Sequence, residues 1–266
     1  MNKIQKKINS VYRYALWNYF SKPLGLIHVA EYPKSGGSWL TQLLSEYLGL
    51  ENRRNKIPKF EKAILHGHYK YKTSYNKTIF IVRDVRDVMV SYYHMLIIGN
   101  KRRPESLNQS YRDKMGIVDY QNVKDNLPKF IEYVNTTYTK SFNKFTWANF
   151  IDFYVDKPDV HIVKYEDMLK DAKQELINIL MFLNEEVDEN RVEEVVHKFS
   201  FQNQTNRKPG EEDKTSFIRK GIAGDWKNYF NEESCKKIIK YSGEELIQMG
   251  YEKDHNWSHQ INNEDV

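Results

Sequence analysis

Three short apolar runs stand out along the chain: "LIHVA" at 26–30, "TIFIV" at 78–82 and "VHIVK" at 160–164. Their length and continuous apolarity predict buried strands. Each run is followed by polar residues and then by a helical pattern. After the first, Leu40, Leu43, Leu44, Tyr47 and Leu48 recur at helical spacing within "SWLTQLLSEYLGL". "DVMVSYYHML" follows the second run and "EDMLKDAKQELINILMFL" the third. Strand–turn–helix repeated in this way predicts an α/β fold, a central parallel sheet flanked by helices. In such sheets ligands sit beyond the C-terminal ends of the strands.

Between Gly99 and Asp156 the pattern changes to a long, aromatic-rich segment in which "LPKFIEYV" and "FTWANFIDFY" predict helices. Its aromatics, Tyr111, Tyr120, Tyr133, Tyr138, Phe145 and Trp147, suit either a core or the wall of a cleft. A further helix is expected over Glu232–Gly250, with the glycine at its end. The first 25 residues carry Tyr12, Tyr14, Trp17, Tyr19 and Phe20 and fit a helix packed on the body, or one lying on a membrane surface. With no internal repeat and no low-complexity linker, a single domain is expected. Its bounds are 26–251, preceded by a helical segment at 1–25 and followed by a polar, frayed tail at 252–266.

Composition narrows the class. Of 266 residues, 40% are hydrophobic and 29% charged, which excludes a disordered chain. The net charge of +5 is a mild excess, short of a nucleic-acid coat but suited to an anionic ligand. Cys235 is the only cysteine, so neither an intrachain disulfide nor a cysteine zinc site is expected. No N-terminal apolar run approaches a membrane span or a signal-peptide core, and the expected location is cytoplasmic.

The candidate chemistry begins with "EYPKSGGSWLTQLLSEYLGL", residues 31–50, where a glycine-bearing turn joins a strand to a helix. A helix N-terminus presents unpaired N–H groups and the positive end of the helix dipole. "KSGGSW" adds two hydroxyls and a lysine, and Gly36 and Gly37 allow close backbone approach to an oxyanion. The competing reading is a tight turn capped by Ser38. Lys34 precedes the glycines, whereas a nucleoside triphosphatase loop has its lysine after them. In "IFIVRDVRDVMVSYYH", Arg83 ends a strand and Ser91 follows eight residues on, placed for a second phosphate. Alternatively, Arg83 and Arg86 pair with Asp84 and Asp87. Last comes "SFIRKGIAGDWKNYF" at 216–230, a basic loop of Arg219, Lys220 and Gly221.

In this order and spacing the three stretches resemble the sulfotransferases that use 3′-phosphoadenosine 5′-phosphosulfate (PAPS). The family's first motif reads like PKSGTTW, against Pro33–Trp39 here. Its second carries an arginine eight residues before the serine of "SYYH", matched by Arg83 and Ser91-Tyr92-Tyr93-His94. Its third, RKGxxGDWKNxF, is matched by Arg219-Lys220-Gly221, Gly224–Asn228 and Phe230. The resemblance runs from about Ile27 to Gly250 and implies a P-loop-NTPase-like fold. It implies that Lys34, Ser35, Gly36, Gly37, Ser38 and Trp39 hold the 5′-phosphosulfate and adenine. Arg83, Ser91, Arg219, Lys220 and Gly221 would hold the 3′-phosphate. Tyr165 (within "KYED"), Ser200, Phe201, Phe217 and Ile218 would enclose the adenosine.

The implied reaction moves SO₃ from PAPS to an acceptor hydroxyl or amine, leaving adenosine 3′,5′-bisphosphate, with no metal required. Lys34 would stabilise the leaving phosphate. "AILHGHYKY" offers His68 as the general base, by alignment with the family's Lys-Thr-His. His66 then stands where the family has a lysine that neutralises the sulfuryl group, a task His66, Lys70 or Lys72 would take over. Of the two histidines, His66 is the one expected to be a satisfied surface residue if only one is catalytic. The partner expected is a small-molecule, sugar or glycolipid acceptor, recognised by loops within 99–156 and 202–218, and not a nucleic acid. The alternatives are a P-loop nucleotide kinase or NTPase, and a non-catalytic protein that binds adenosine bisphosphate.

Overall fold

A computed structural model describes residues 3–51, 59–143 and 145–258. Four strands form the sheet: β1 (Ile27–Glu31), β2 (Ile64–Gly67), β3 (Thr78–Val82) and β4 (Val160–Lys164). The helices of the first part are α1 (Lys3–Tyr19), α2 (Gly37–Leu48), α3 (Val85–Tyr93), α4 (Glu105–Met115), α5 (Val123–Tyr133) and α6 (Trp147–Tyr154). They are followed by α7 (Tyr165–Lys170), α8 (Ala172–Leu183), α9 (Glu189–Lys198), α10 (Phe201–Thr205) and α11 (Glu232–Gln248). Contacts gather into two compact units, Met1–Val82 with Asp152–Gln204, and Arg83–Ile151 with Thr205–Val266. Each unit draws on two separated stretches of chain, so neither is a contiguous segment, and the architecture is a single α/β domain as expected.

The first unit holds the sheet, in the order β2–β1–β3–β4, with every pairing parallel. β1 and β3 are buried at all five positions, which is why each reads as an unbroken apolar run. β2 lay outside the three predicted runs, because His66 interrupts its four residues and leaves too short an apolar signal. Leu40, Leu43 and Leu44 of α2 meet Ile27 and Val29 of β1, Ile79 and Ile81 of β3, and Leu176, Ile179 and Leu180 of α8 in one buried cluster. α1 seats Leu16 against Leu26, Ala63 and Leu65 in a smaller one. Its Ile8 and Val11 are exposed. Among the described residues no helix is long and apolar enough to cross a membrane.

The second unit is helical. α3 runs into a π-helical turn, His94–Ile98, which Gly99 closes by donating to the His94 carbonyl at 2.8 Å. Of the aromatics that suited core or cleft, Tyr138 and Trp147 are core, while Tyr111, Tyr120, Tyr133 and Phe145 are half-buried. The Trp147 indole donates to the Arg83 carbonyl at 3.0 Å, and Tyr92 donates to the Tyr138 hydroxyl at 3.1 Å. α11 covers the helix expected to end at Gly250, with a kink at Ser242. The tail expected at 252–266 reaches into residues 259–266, which lie outside the described ones. In the described portion Trp257 is 3% exposed and its ring faces the Arg86 guanidinium at 4.6 Å.

Leu44, fully buried in the α2–sheet–α8 cluster, provides the check on this core. Leu44→Ala is expected to destabilise the chain by about 2–5 kcal/mol, read from urea unfolding.

Candidate functional site

The turn from β1 into α2 is wound tightly. Lys34, half-buried, takes φ of 77°, a left-handed conformation that non-glycine residues seldom adopt, and Gly36 takes φ of 102°. Gly36 is the cap of α2 and Ser38 lies inside the helix, so the turn is not capped by Ser38 as its N-cap residue. A Cβ on Gly36 would lie 2.5 Å from the Tyr165 ring, and one on Gly37 2.6 Å from the Glu31 carboxyl carbon. Both glycines are therefore required by how closely the turn presses onto its own scaffold. Ser35 is fully buried, and its hydroxyl finds no hydrogen-bond partner among the described residues.

Beneath the turn lies a group that sequence reasoning missed. Glu31, the last residue of β1, is 4% exposed. Its Oε2 accepts from the Gly37 amide at 2.7 Å and its Oε1 from His66 Nε2 at 2.7 Å. Burial pushes the carboxyl pKa up, but the bond and charge of His66, the charge of His68 and the Gly37 amide outweigh it, and the net value falls to about 2. The one sequence signal was an acid at the end of an otherwise apolar strand. His66, expected at the surface, is instead a buried partner of this acid, because β2 lies beside β1 with His66 paired to Val29.

His68, two residues on, bonds through Nδ1 to the Glu31 carbonyl at 2.9 Å. A carbonyl only accepts, so Nδ1 carries the proton and Nε2 is the basic atom of the neutral ring. The Trp39 ring meets that of Tyr165 edge-on at 6.1 Å, and its indole donates to the Phe199 carbonyl at 3.0 Å. The hydroxyl of Ser200 accepts from the Asn203 amide at 3.3 Å, and the half-buried Phe201 opens α10. Thus Lys34–Trp39, Tyr165, His66, His68, Ser200 and Phe201 all belong to the first unit.

The second unit collects the other predicted residues. Arg83 donates to the Ile222 carbonyl at 3.2 Å and stands 3.5 Å from the Asp87 carboxylate. Asp87 is 1% exposed and also accepts the amides of Gly224 at 2.7 Å and Trp226 at 2.9 Å. Arg86 pairs with Asp84 at 2.7 Å, so both arginines do have acidic neighbours in sequence, yet Arg83 still reaches the basic loop. In that loop Arg219 meets Asp225 at 2.5 Å and Glu212 at 2.6 Å, while Lys220 meets Asp225 at 2.7 Å. Burial alone would raise the Asp225 pKa, but the bonds from Lys220 and Arg219 hold it below the usual range. Ser91 sits half-buried on α3, and Gly221 takes φ of 65°.

A strap shapes the loop. The Arg207 guanidinium donates to the carbonyls of Glu211 and Arg219 at 2.6 Å each and of Ile218 at 2.5 Å. The Gly210 amide meets the Lys220 carbonyl at 2.9 Å, and that of Asp213 meets the Arg219 carbonyl at 3.1 Å. Phe217 lies beneath the Arg102 guanidinium at 4.9 Å. Nothing in the local sequence marks Arg207 as the residue that holds Ile218 and Arg219.

Comparison with known proteins gives the class. A family model described as "Sulfotransferase domain" matches residues 65–250, and the chain belongs to that family. Sulfotransferase 1B1 of Canis lupus familiaris is 26% identical over 267 residues, covering 83% of this chain and 82% of that protein. Flavonol 3-sulfotransferase of Flaveria bidentis is 25% identical, covering 84% and 82%. Among solved structures, a mouse sulfotransferase, SULT7A1 complexed with PAP, superposes with a TM-score of 0.63 at 19% identity, covering 89% of this chain and 86% of that one.

Because the folded pKa of Glu31 is depressed, its contribution to stability is present above about pH 4.5 and is lost as pH falls towards 2. Glu31→Gln should therefore be less stable than wild type at pH 7, with the gap closing below pH ~4, read by denaturant titration across pH. Separately, Arg207→Met should speed amide exchange at Gly210 and Asp213 by roughly tenfold or more while leaving β1 and β3 unchanged.

Proposed function

We propose that the chain transfers a sulfuryl group from PAPS to the hydroxyl or amine of a small-molecule, sugar or glycolipid acceptor. The observation that carries this reading is the setting of His68, in a chain of the sulfotransferase family. Its Nδ1 is held by the Glu31 carbonyl, and the Glu31 side chain also anchors the Gly37 turn. Two features support the fit to a doubly phosphorylated nucleotide. The turn is a wound, glycine-built helix entry with a lysine and a buried serine hydroxyl that meets no partner among the described residues. The second unit offers Arg83, Arg219 and Lys220 around one loop. The family match begins at residue 65, so the turn enters on its own chemistry.

When bound, PAPS supplies the sulfuryl group and the phosphate that leaves with it. Lys34, Ser35, Gly36, Gly37 and Ser38 bind the phosphosulfate, and the Lys34 ammonium offsets the charge that grows on the departing oxygen. Trp39, Tyr165, Ser200, Phe201, Phe217 and Ile218 enclose the adenosine. Arg83, Ser91, Arg219, Lys220 and Gly221 take the 3′-phosphate, which competes with Asp225 and Glu212 for the two cations of the loop. His68 Nε2 accepts the acceptor's proton. The imidazolium so formed keeps its Nδ1–H bond to the Glu31 carbonyl and gains the field of the adjacent carboxylate. His66 donates from Nε2 to that carboxylate, which would otherwise oppose an anion at the turn with an unpaired oxygen. A flavonol and an amine appear in the names of relatives, and both acceptor types suit this base.

Calorimetry with adenosine 3′,5′-bisphosphate, 5′-AMP and Mg-ATP tests the cofactor reading. The bisphosphate is expected to bind best, and Arg83→Ala to cost it about 10- to 100-fold with little effect on 5′-AMP. A preference for Mg-ATP would sink the proposal in favour of a kinase. His68→Asn should keep bisphosphate binding while turnover of PAPS with an accepted hydroxyl falls about 10²- to 10⁴-fold. Undiminished turnover would remove His68 as the base.

A further inference from the structure

His94 opens the π-helical turn after α3 and plays no part in the function proposed above. It is 5% exposed, and neither ring nitrogen meets a hydrogen-bond partner among the described residues. A neutral imidazole has one donor and one acceptor, and leaving such a group buried and unmet carries a desolvation cost. Native structures seldom carry that cost without a ligand or function to explain it. π-Helical turns, too, recur at functional sites.

The surroundings of the ring define the ligand. Asp87, Ser91 and His94 are spaced four and three residues apart, so they share one side of the helix. Asp87 on that side accepts the Gly224 and Trp226 amides, and the His94 ring meets Tyr229 edge-on at 5.7 Å. That side therefore faces the 224–229 segment. The Tyr229 hydroxyl is 3.4 Å from Arg219 Nη1. The charged groups acting on the ring are Arg219, Lys214, Lys220 and Asp225. Burial first, then the three cations, lower its pKa to about 3 against the opposing pull of Asp225, so the ring is neutral. Arg219 and Lys220 are already engaged with carboxylates, whereas the His94 donor is not. An anion reaching the two cations must displace Asp225 or Glu212, but it gains the imidazole N–H without breaking an existing bond.

We infer that His94 is a further binding residue for the 3′-phosphate, donating a neutral imidazole N–H to it beside Arg219 and Lys220. This rests on the assignment of that loop to the 3′-phosphate. The test measures adenosine 3′,5′-bisphosphate and 5′-AMP binding to wild type, His94→Leu and His94→Gln. Leucine should weaken the bisphosphate about tenfold and leave 5′-AMP within about twofold, while glutamine, which keeps a donor, recovers most of the loss. Leucine weakening both ligands alike, or neither, would overturn the role of His94. Equal affinity of wild type for the two ligands would overturn the loop assignment and this inference with it. Should His94→Leu fail to fold, the imidazole ¹⁵N signals of wild-type His94 decide. They are expected to move with the bisphosphate and stay still with 5′-AMP, and a ring unmoved by both refutes the contact.

Discussion

A carboxylate taken out of water must be matched oxygen by oxygen, and at the end of β1 that demand falls on Glu31. Its two oxygens are met by an amide of the turn and by an imidazole of the neighbouring strand, while its backbone carbonyl takes the second imidazole. Burying the acid works against ionisation. The net fall of its pKa to about 2 says that the partners win. One residue therefore fixes three things: its side chain sets the register of the turn on β1 and the rotamer of His66, and its backbone carbonyl sets the tautomer of His68. Moving either of the first two would strand a buried charge, a far larger cost than a surface ion pair carries.

The second unit repeats the same logic with opposite emphasis. There buried carboxylates hold cations ready: Asp87 positions Arg83 and two loop amides, and Asp225 gathers Arg219, Lys220 and the Asn228 amide group. Guanidinium and ammonium groups left to themselves on long stems lose rotamer entropy when a ligand orders them. Here much of that ordering is done before any ligand arrives. The cost is competition, since an incoming anion must replace carboxylates already in place.

Much of the scaffold was legible because it obeys local rules. The three apolar runs are β1, β3 and β4, although β4, expected to be buried, ends the sheet and is buried only at Val163, and the helices that follow them carry their core positions at the expected spacing. β2 escaped because four residues containing a histidine carry no periodic signal. The glycines of the turn were read for ligand approach, whereas crowding by Tyr165, Glu31 and His66 already requires them. That could not be read from a string, since those residues lie up to 129 positions away from Gly36 (165 − 36). The loop amides held by Asp87 were missed for the same reason, lying 137 and 139 positions on, and neither the grip of Asp225 on the Arg219 and Lys220 side chains nor that of Arg207 on the loop carbonyls can be told from solvated loop charge until the partners are known.

The family match stops at residue 250, yet the packing does not. The Arg86 guanidinium lies against the rings of both Trp226, at 4.0 Å, and Trp257, at 4.6 Å, which meet each other edge-on, and it also meets Glu252. Trp226 belongs to the segment whose amides Asp87 holds. A domain boundary drawn at the end of the recognised family would thus part Arg86 from two of its partners, Trp257 and Glu252. In terms of modularity, the seven residues after 250 up to Trp257 (257 − 250) pack as part of the second unit rather than as an appendage to it.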